Sequence, residues 1–196
     1  MVPSLLGSGG APPCDWRGCV EAVRHATRLL SEPLVLVGHS GGGLLLPVIA
    51  DAVAQPVKGL IFVDSGIPAR AGETAFVPSA FLDQFRPLVV DGILPPWSSW
   101  FGEDAMHELV PDAVLRSALL REMPRLPFAF LEQRIPSPTG WYRTPSAYLL
   151  LSDAYTEAAA EARELGWSVE AITEAQHLHI AMAPEAIADM LLRLEP

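Results

Sequence analysis

The stretch PLVLVGHSGGGLLLP, at residues 33–47, constrains the fold of this chain more than any other segment. Its apolar run at 34–38 is typical of a strand that is buried on both faces of a sheet. Four glycines then surround Ser40, and a helical pattern continues to about Ala54. Bulky neighbours of a serine on a sharp strand-to-helix turn would collide with the strand or the helix. The stretch therefore predicts a strand, a tight turn that exposes Ser40, and a helix that Pro47 kinks.

Apolar runs and amphipathic helical patterns alternate along much of the remaining chain. Such alternation predicts right-handed crossovers, a parallel sheet and helices on both of its faces, which is an α/β fold. The further predicted strands are 57–64, 146–152 and 167–173, and the predicted helices outside the first stretch are 15–31, 154–165 and 184–194.

The segment 67–145 differs in composition from the rest of the chain. It holds eleven of the nineteen prolines and ten of the fifteen aromatic residues, and its helical patterns are short. We interpret it as an inserted, mainly helical cap that divides an α/β core into 1–66 and 146–196. Its apolar aromatic content favours an apolar group in any ligand.

Charge and composition exclude several classes of function. The formal net charge is −10, without a basic cluster, so a nucleic-acid partner is not expected. No apolar run reaches the ~18 residues that cross a bilayer, and the amino terminus lacks a positively charged leader region, so we expect no membrane partner and a cytoplasmic protein. Cys14 and Cys19 lack the closely spaced Cys or His partners of a metal site, and we read them as two free thiols.

The residues around Ser40 match G-x-S-x-G between a predicted strand and a predicted helix. A serine hydroxyl is a weak nucleophile, so it needs a base that an acid orients. Asp153 follows the third predicted strand and His177 follows the fourth, and the carboxyl ends of parallel strands meet at one edge. The glycines are followed neither by the lysine of a phosphate-binding loop nor by a G-x-G-x-x-G pattern.

With VGHSGGG, SDAY and QHLH in this order, the chain resembles the α/β-hydrolase superfamily, in its serine esterase-like branch. The resemblance implies Ser40 as nucleophile, His177 as base, Asp153 as acid and the Gly41 N–H as an oxyanion donor. A proline seven residues after the histidine is frequent in the family, so Pro184 favours His177 over the alternative base His179.

Asp64, after the second predicted strand, is an alternative acid that some members of the superfamily use. The resemblance also leads us to expect that His39 packs beside the site or lines it.

The resemblance implies several strands before the strand that leads to Ser40, together with a loop that supplies a second oxyanion N–H. Only 33 residues precede that strand here, and we find no convincing strand among them. We therefore expect a fold that lacks its N-terminal strands, with an exposed apolar edge, poor activity and a tendency to self-associate. The GSGGA stretch at 7–11 is interpreted as a flexible linker rather than a donor loop.

Together these features predict a serine hydrolase that cleaves a carboxylic ester, or a related acyl bond, of an apolar small molecule. The reaction would proceed through an acyl-enzyme, and the resemblance implies no metal or organic cofactor. The alternative is a non-catalytic protein of the same fold that binds a hydrophobic small molecule or a partner chain.

Overall fold

The computed structural model describes residues 1–6, 13–102, 104–194 and 196. The strands described are β1 (Leu34–His39), β2 (Val57–Val63), β3 (Glu73–Ala75), β4 (Ile93–Leu94), β5 (Leu126–Pro127), β6 (Arg134–Pro136), β7 (Ser146–Leu150) and β8 (Ser168–Ala171). The α-helices described are α1 (Trp16–Thr27), α2 (Leu46–Ala52), α3 (Ser79–Phe85), α4 (Ala105–Leu109), α5 (Ala113–Glu122), α6 (Phe128–Leu131), α7 (Thr156–Glu164), α8 (His179–Met182) and α9 (Pro184–Arg193).

The central sheet contains four parallel strands in the order β1-β2-β7-β8. His39 at the end of β1 is level with Val63 at the end of β2, and Val63 is level with Leu149 of β7. The residues that follow these strands therefore emerge at the same edge of the sheet. The parallel sheet that the alternating pattern predicts is present, although β7 and β8 end earlier than predicted.

Two hydrophobic layers cover the sheet because successive side chains of a strand point to opposite faces. One layer contains Ile61 and Val63 of β2 with Ala147 and Leu149 of β7, and α9 contributes Ile187 to it. The other layer contains the alternate strand residues together with two alanines of α7; its buried members are Leu46, Leu60, Phe62, Trp141, Tyr148, Ala159 and Ala162. This double coverage explains the nearly continuous apolar sequence of β2.

The segment after β1 differs from the predicted continuous helix. Residues Ser40–Leu45 form a 3₁₀ turn, and the α-helix begins only at Leu46. Pro47 lies in the first turn of α2, where a missing backbone N–H costs no intrahelical hydrogen bond, so it starts this helix instead of kinking it.

The chain divides into two compact units, which are described separately. The first comprises Met1–Val23 and Ala75–Arg134, and the second comprises Arg24–Thr74 and Ile135–Pro196. In the first unit the aromatic rings pack on one another: Phe85 contacts Phe81, Trp100 and Phe101. The central sheet belongs to the second unit. The division into core segments 1–66 and 146–196 with a cap at 67–145 remains a prediction.

β1 is an edge strand within the described part of the sheet, and two of its valines face solvent. Val35 is 37% exposed and Val37 is 46% exposed. The predicted tendency to self-associate stays a prediction, and the GSGGA stretch lies outside the described residues. Among the residues described, no helix has the length and apolar character that a membrane span requires.

Candidate active site

Ser40 lies on a strained turn directly after β1. Its φ is +53°, in the left-handed region that L-residues rarely adopt. Glycine is required at two neighbouring positions: a Cβ on Gly38 would lie 2.7 Å from the Gly43 Cα, and a Cβ on Gly43 would lie 2.7 Å from the Ser65 Cβ. Gly42, by contrast, has open space where a Cβ would lie. The glycines thus allow the backbone to turn sharply and hold Ser40 above the sheet edge.

His177 connects Ser40 to a carboxylate. It lies in the segment between β8 and α8, and its Nε2 is 3.0 Å from Ser40 Oγ. Its Nδ1 is 2.7 Å from Asp64 Oδ2. With the Nδ1 proton donated to Asp64, the neutral imidazole offers the Nε2 lone pair to the Ser40 hydroxyl. This is the geometry of a serine with a base that an acid orients.

The carboxylate beside His177 belongs to Asp64, so the expectation that Asp153 occupies this position is corrected. Asp64 directly follows β2, the strand that pairs with β1, and its backbone is therefore level with Ser40. Asp153 comes four residues beyond Leu149 and starts an exposed 3₁₀ turn, Asp153–Tyr155. The Asp153 side chain is exposed, and the carboxylate that pairs with His177 Nδ1 is that of Asp64.

The segment after β7 contributes to the site by binding Asp64. The backbone N–H groups of Leu151 and Ser152 each donate to Asp64 Oδ1 at 2.9 Å. The Ser152 hydroxyl donates to Oδ2 at 2.5 Å. Burial by itself would raise the pKa of Asp64, but the hydrogen bonds from His177, Ser152 and Leu151 outweigh it and hold that pKa below its usual value. The carboxylate is therefore ionised although it is fully buried.

His39 contacts the same imidazole from the end of β1. Its Nε2–H donates to the backbone carbonyl of His177 at 2.9 Å, and the two ring centroids are 4.5 Å apart. Burial and the neighbouring His177 charge lower the pKa of His39 to about 4, so the ring is neutral near pH 7. The sequence indicated only that His39 packs beside the site or lines it. The structure shows that it holds the backbone of the His177 segment.

Tyr155 is a site residue that the sequence analysis missed. Its ring stacks on the His177 imidazole, with centroids 5.4 Å apart and ring planes 18° apart. The available signal was its position in the SDAY motif, two residues after Asp153.

The other predicted residues have the following positions. Gly41 is the second residue of the 3₁₀ turn, so its N–H follows Ser40 directly. His179 begins α8, where its backbone N–H donates to the Gln176 carbonyl, and the imidazole that reaches Ser40 is that of His177.

Within the described ranges no three Cys, His, Asp or Glu side chains are grouped as a metal site would require. Burial raises the pKa of the Cys19 thiol to about 11, and Cys14 is exposed.

Nearly the whole sequence matches the model of one protein family. The profile of the Alpha/beta hydrolase family matches residues 1–190. The chain belongs to the α/β-hydrolase family. One relative is Methylesterase 8 of Arabidopsis thaliana, which is 24% identical over 177 residues, 83% of this chain. This α/β hydrolase spans 64% of the length of that relative.

Solved structures show the same fold. One is described as an extracellular α/β-hydrolase from a Paenibacillus species that shares structural and functional homology with tobacco salicylic acid binding protein 2; it superimposes with a TM-score of 0.75 at 17% identity. That superposition covers 98% of this chain and 85% of the other. Polyneuridine aldehyde esterase superimposes with a TM-score of 0.69 at 16% identity, covering 98% of this α/β hydrolase and 85% of the esterase. At these identities the likeness supports the fold alone.

Proposed function

We propose that this α/β hydrolase is a serine esterase that cleaves a carboxylic ester of an apolar small molecule through an acyl-enzyme. The observation that carries the proposal is the continuous hydrogen-bonded path from Ser40 Oγ through His177 to the buried Asp64. A buried anion at one end of an imidazole and a hydroxyl at the other make the hydroxyl a usable nucleophile.

In the acylation step, Ser40 Oγ attacks the ester carbonyl carbon while its proton passes to His177 Nε2. The resulting imidazolium is stabilised by the Asp64 carboxylate, 2.7 Å from Nδ1. The negative charge that develops on the carbonyl oxygen is stabilised by the Gly41 N–H. When the tetrahedral intermediate collapses, the bond to the alcohol oxygen breaks, and His177 Nε2 returns its proton to that oxygen.

Deacylation follows the same path with water in place of Ser40. His177 removes a proton from the water while its oxygen attacks the acyl carbon. Ser40 then leaves and takes the proton back from Nε2, which restores the resting site.

Two observations indicate the substrate class. The relative from Arabidopsis thaliana is named a methylesterase, which favours a methyl ester as the substrate. The aromatic and proline content of 67–145 favours an apolar acyl group. A methyl ester of an aromatic carboxylic acid satisfies both.

The test measures turnover of p-nitrophenyl butyrate and of methyl benzoate by three proteins: the wild type, Ser40→Ala and the control Ser31→Ala. Ser31 is exposed and precedes β1. We expect the wild type and Ser31→Ala to hydrolyse at least one ester equally, and Ser40→Ala to be at least roughly 10³-fold slower. Hydrolysis that survives in Ser40→Ala would refute the proposal. A folded wild type without turnover would favour the non-catalytic alternative.

A further inference from the structure

The Ser152 hydroxyl and the His177 imidazole share one oxygen of the Asp64 carboxylate. Ser152 Oγ donates to Asp64 Oδ2 at 2.5 Å, and His177 Nδ1 donates to the same atom at 2.7 Å. The other oxygen, Oδ1, accepts from the backbone N–H groups of Leu151 and Ser152, each at 2.9 Å. A carboxylate has about four acceptor positions, so these donors satisfy it completely.

Ser152 binds both oxygens of this carboxylate. Its N–H reaches Oδ1 and its hydroxyl reaches Oδ2, so the two bonds together fix the rotation of the carboxylate about its Cβ–Cγ bond. Position 152 faces Asp64 because backbone pairing continues past the end of β2, where the Asp64 N–H donates to the Leu149 carbonyl at 2.9 Å. The backbone donors hold Oδ1 for any side chain at position 152, whereas the second donor to Oδ2 depends on the hydroxyl.

We propose that Ser152 is a positioning residue, whose hydroxyl turns the Asp64 carboxylate so that Oδ2 faces the Nδ1–H of His177. Its role in turnover rests on the proposed esterase function, whereas its effect on the Nδ1–H does not. The hydroxyl also shares the negative charge of Oδ2, and it therefore limits how strongly the carboxylate attracts the imidazole proton. Ser152 acts through Asp64 and His177 and takes no part in the bonds that form or break.

The experiment compares Ser152→Ala, Ser152→Thr and the control Ser146→Ala with the wild type. Ser152→Ala removes the hydroxyl and keeps both backbone donors. Ser152→Thr keeps the hydroxyl, and the extended backbone at this half-buried position, with φ −135° and ψ 156°, suits a β-branched side chain. Ser146 begins β7, pairs with Leu60 and donates its hydroxyl to the Thr144 carbonyl at 2.9 Å. Ser146→Ala thus removes a serine hydroxyl from the opposite end of the same strand.

The kinetic readout is the split between kcat and KM for p-nitrophenyl butyrate. We expect kcat of Ser152→Ala to fall roughly 10- to 100-fold, because a carboxylate that can rotate leaves the imidazole misaligned, while KM changes less than about twofold. Ser152→Thr and Ser146→Ala should stay within about twofold of the wild type. Melting temperatures are measured for all variants, and rates are taken where each is folded. An unchanged kcat in Ser152→Ala, or an equal loss in either of the other variants, would overturn the proposal.

The proton NMR signal of the His177 Nδ1–H tests the same contact without turnover. The signal is identified in protein with ¹⁵N-labelled histidine by its loss in His177→Gln. In Ser152→Ala the Nδ1–H no longer shares Oδ2 with a hydroxyl, so we expect its signal to move downfield, while Ser152→Thr keeps the wild-type signal. An identical signal in Ser152→Ala and the wild type would overturn the proposal. A shifted signal in a protein whose wild type shows no Ser40-dependent turnover would support the contact and refute the esterase function.

Discussion

Asp64 carries a full charge with no exposed surface, and the site depends on how that charge is stabilised. Burying an isolated carboxylate is costly, so buried carboxylates are retained only where hydrogen bonds replace water. Here Leu151, Ser152 and His177 provide those hydrogen bonds. Its φ of +44° also places the residue in a strained backbone region. Such strain at a residue that binds the imidazole is typical of functional sites.

The two candidate acids differ enough in position for a direct test. Asp64→Asn keeps the acceptor for the two backbone N–H groups but turns an NH₂ toward His177 Nδ1, which disfavours the required tautomer. We expect kcat to fall roughly 10³- to 10⁴-fold. Asp153→Asn changes an exposed side chain and should stay within about twofold of the wild type. Steady-state hydrolysis of p-nitrophenyl butyrate measures both, and an equal loss in Asp153→Asn would contradict the assignment.

A site residue could be predicted from the sequence where local spacing identifies it, but not where its identity depends on the order of the strands in the sheet. Ser40 and His177 could be proposed from a turn motif and from a seven-residue step to Pro184. The choice between Asp64 and Asp153 depends on which strand end is nearest the His177 segment. A single sequence shows that both follow buried strands, but it does not show that β2 lies between β1 and β7. The contacts of Tyr155 depend on the same three-dimensional arrangement.

At the scale of elements, His39 joins the end of β1 to the segment between β8 and α8. The carbonyl of His177 accepts its Nε2–H, so this hydrogen bond connects the His177 segment to the strand that leads to Ser40. A charged His39 would lie close to the His177 imidazole, which in the proposed mechanism accepts the serine proton. The low pKa of His39, about 4, keeps its ring neutral near pH 7.

This arrangement predicts a pH-dependent stability. Between the ordinary histidine pKa of 6.5 and the folded value of about 4, the unfolded chain takes up a proton at His39 and the folded chain does not. The free energy of unfolding should therefore decrease as the pH falls through this window. His39→Gln keeps an N–H donor near the Nε2 position but does not titrate. We expect its loss of stability from pH 7 to pH 5 to be about 1–2 kcal/mol smaller than that of the wild type.

Urea unfolding at the two pH values measures the difference for the wild type, His39→Gln and the control His25→Gln. His25 is exposed on α1, and its variant should follow the wild type. An equal loss of stability in the wild type and His39→Gln would show that His39 titrates normally in the folded chain.

Element boundaries were predicted less well than element types. The pattern of glycines indicated a turn at Ser40, but the helix was expected to start there rather than at Leu46. The reason is physical: three successive glycines favour a helix weakly, whereas Pro47 favours a first helical turn. α1 likewise ends at Thr27 rather than at residue 31. The side-chain amide of Gln55 donates to the carbonyl of Thr27, the last helical residue, and to that of Leu30, three residues later.

For the whole molecule, the α/β-hydrolase fold expected from the sequence is confirmed by the family match and by the solved structures. The parallel α/β class could be predicted because buried strands and amphipathic helices leave distinct patterns at short range, and the α/β-hydrolase fold was implied by the resemblance that VGHSGGG, SDAY and QHLH carry. Packing within the first unit could not be predicted, since its aromatic residues lie in α3 and at 97–101 and meet only in three dimensions. The predicted cap at 67–145 and the predicted self-association stay predictions.

The central claim is that Ser40 is the nucleophile of this molecule. The most direct test is to incubate the chain with a fluorophosphonate, digest it and locate the added phosphonyl mass by tandem mass spectrometry. We predict one adduct, on the Ser40 hydroxyl of the peptide that contains GHSGGG, and no adduct on Ser40→Ala. A phosphonyl group on another residue of the wild type, or labelling that persists in Ser40→Ala, would contradict it.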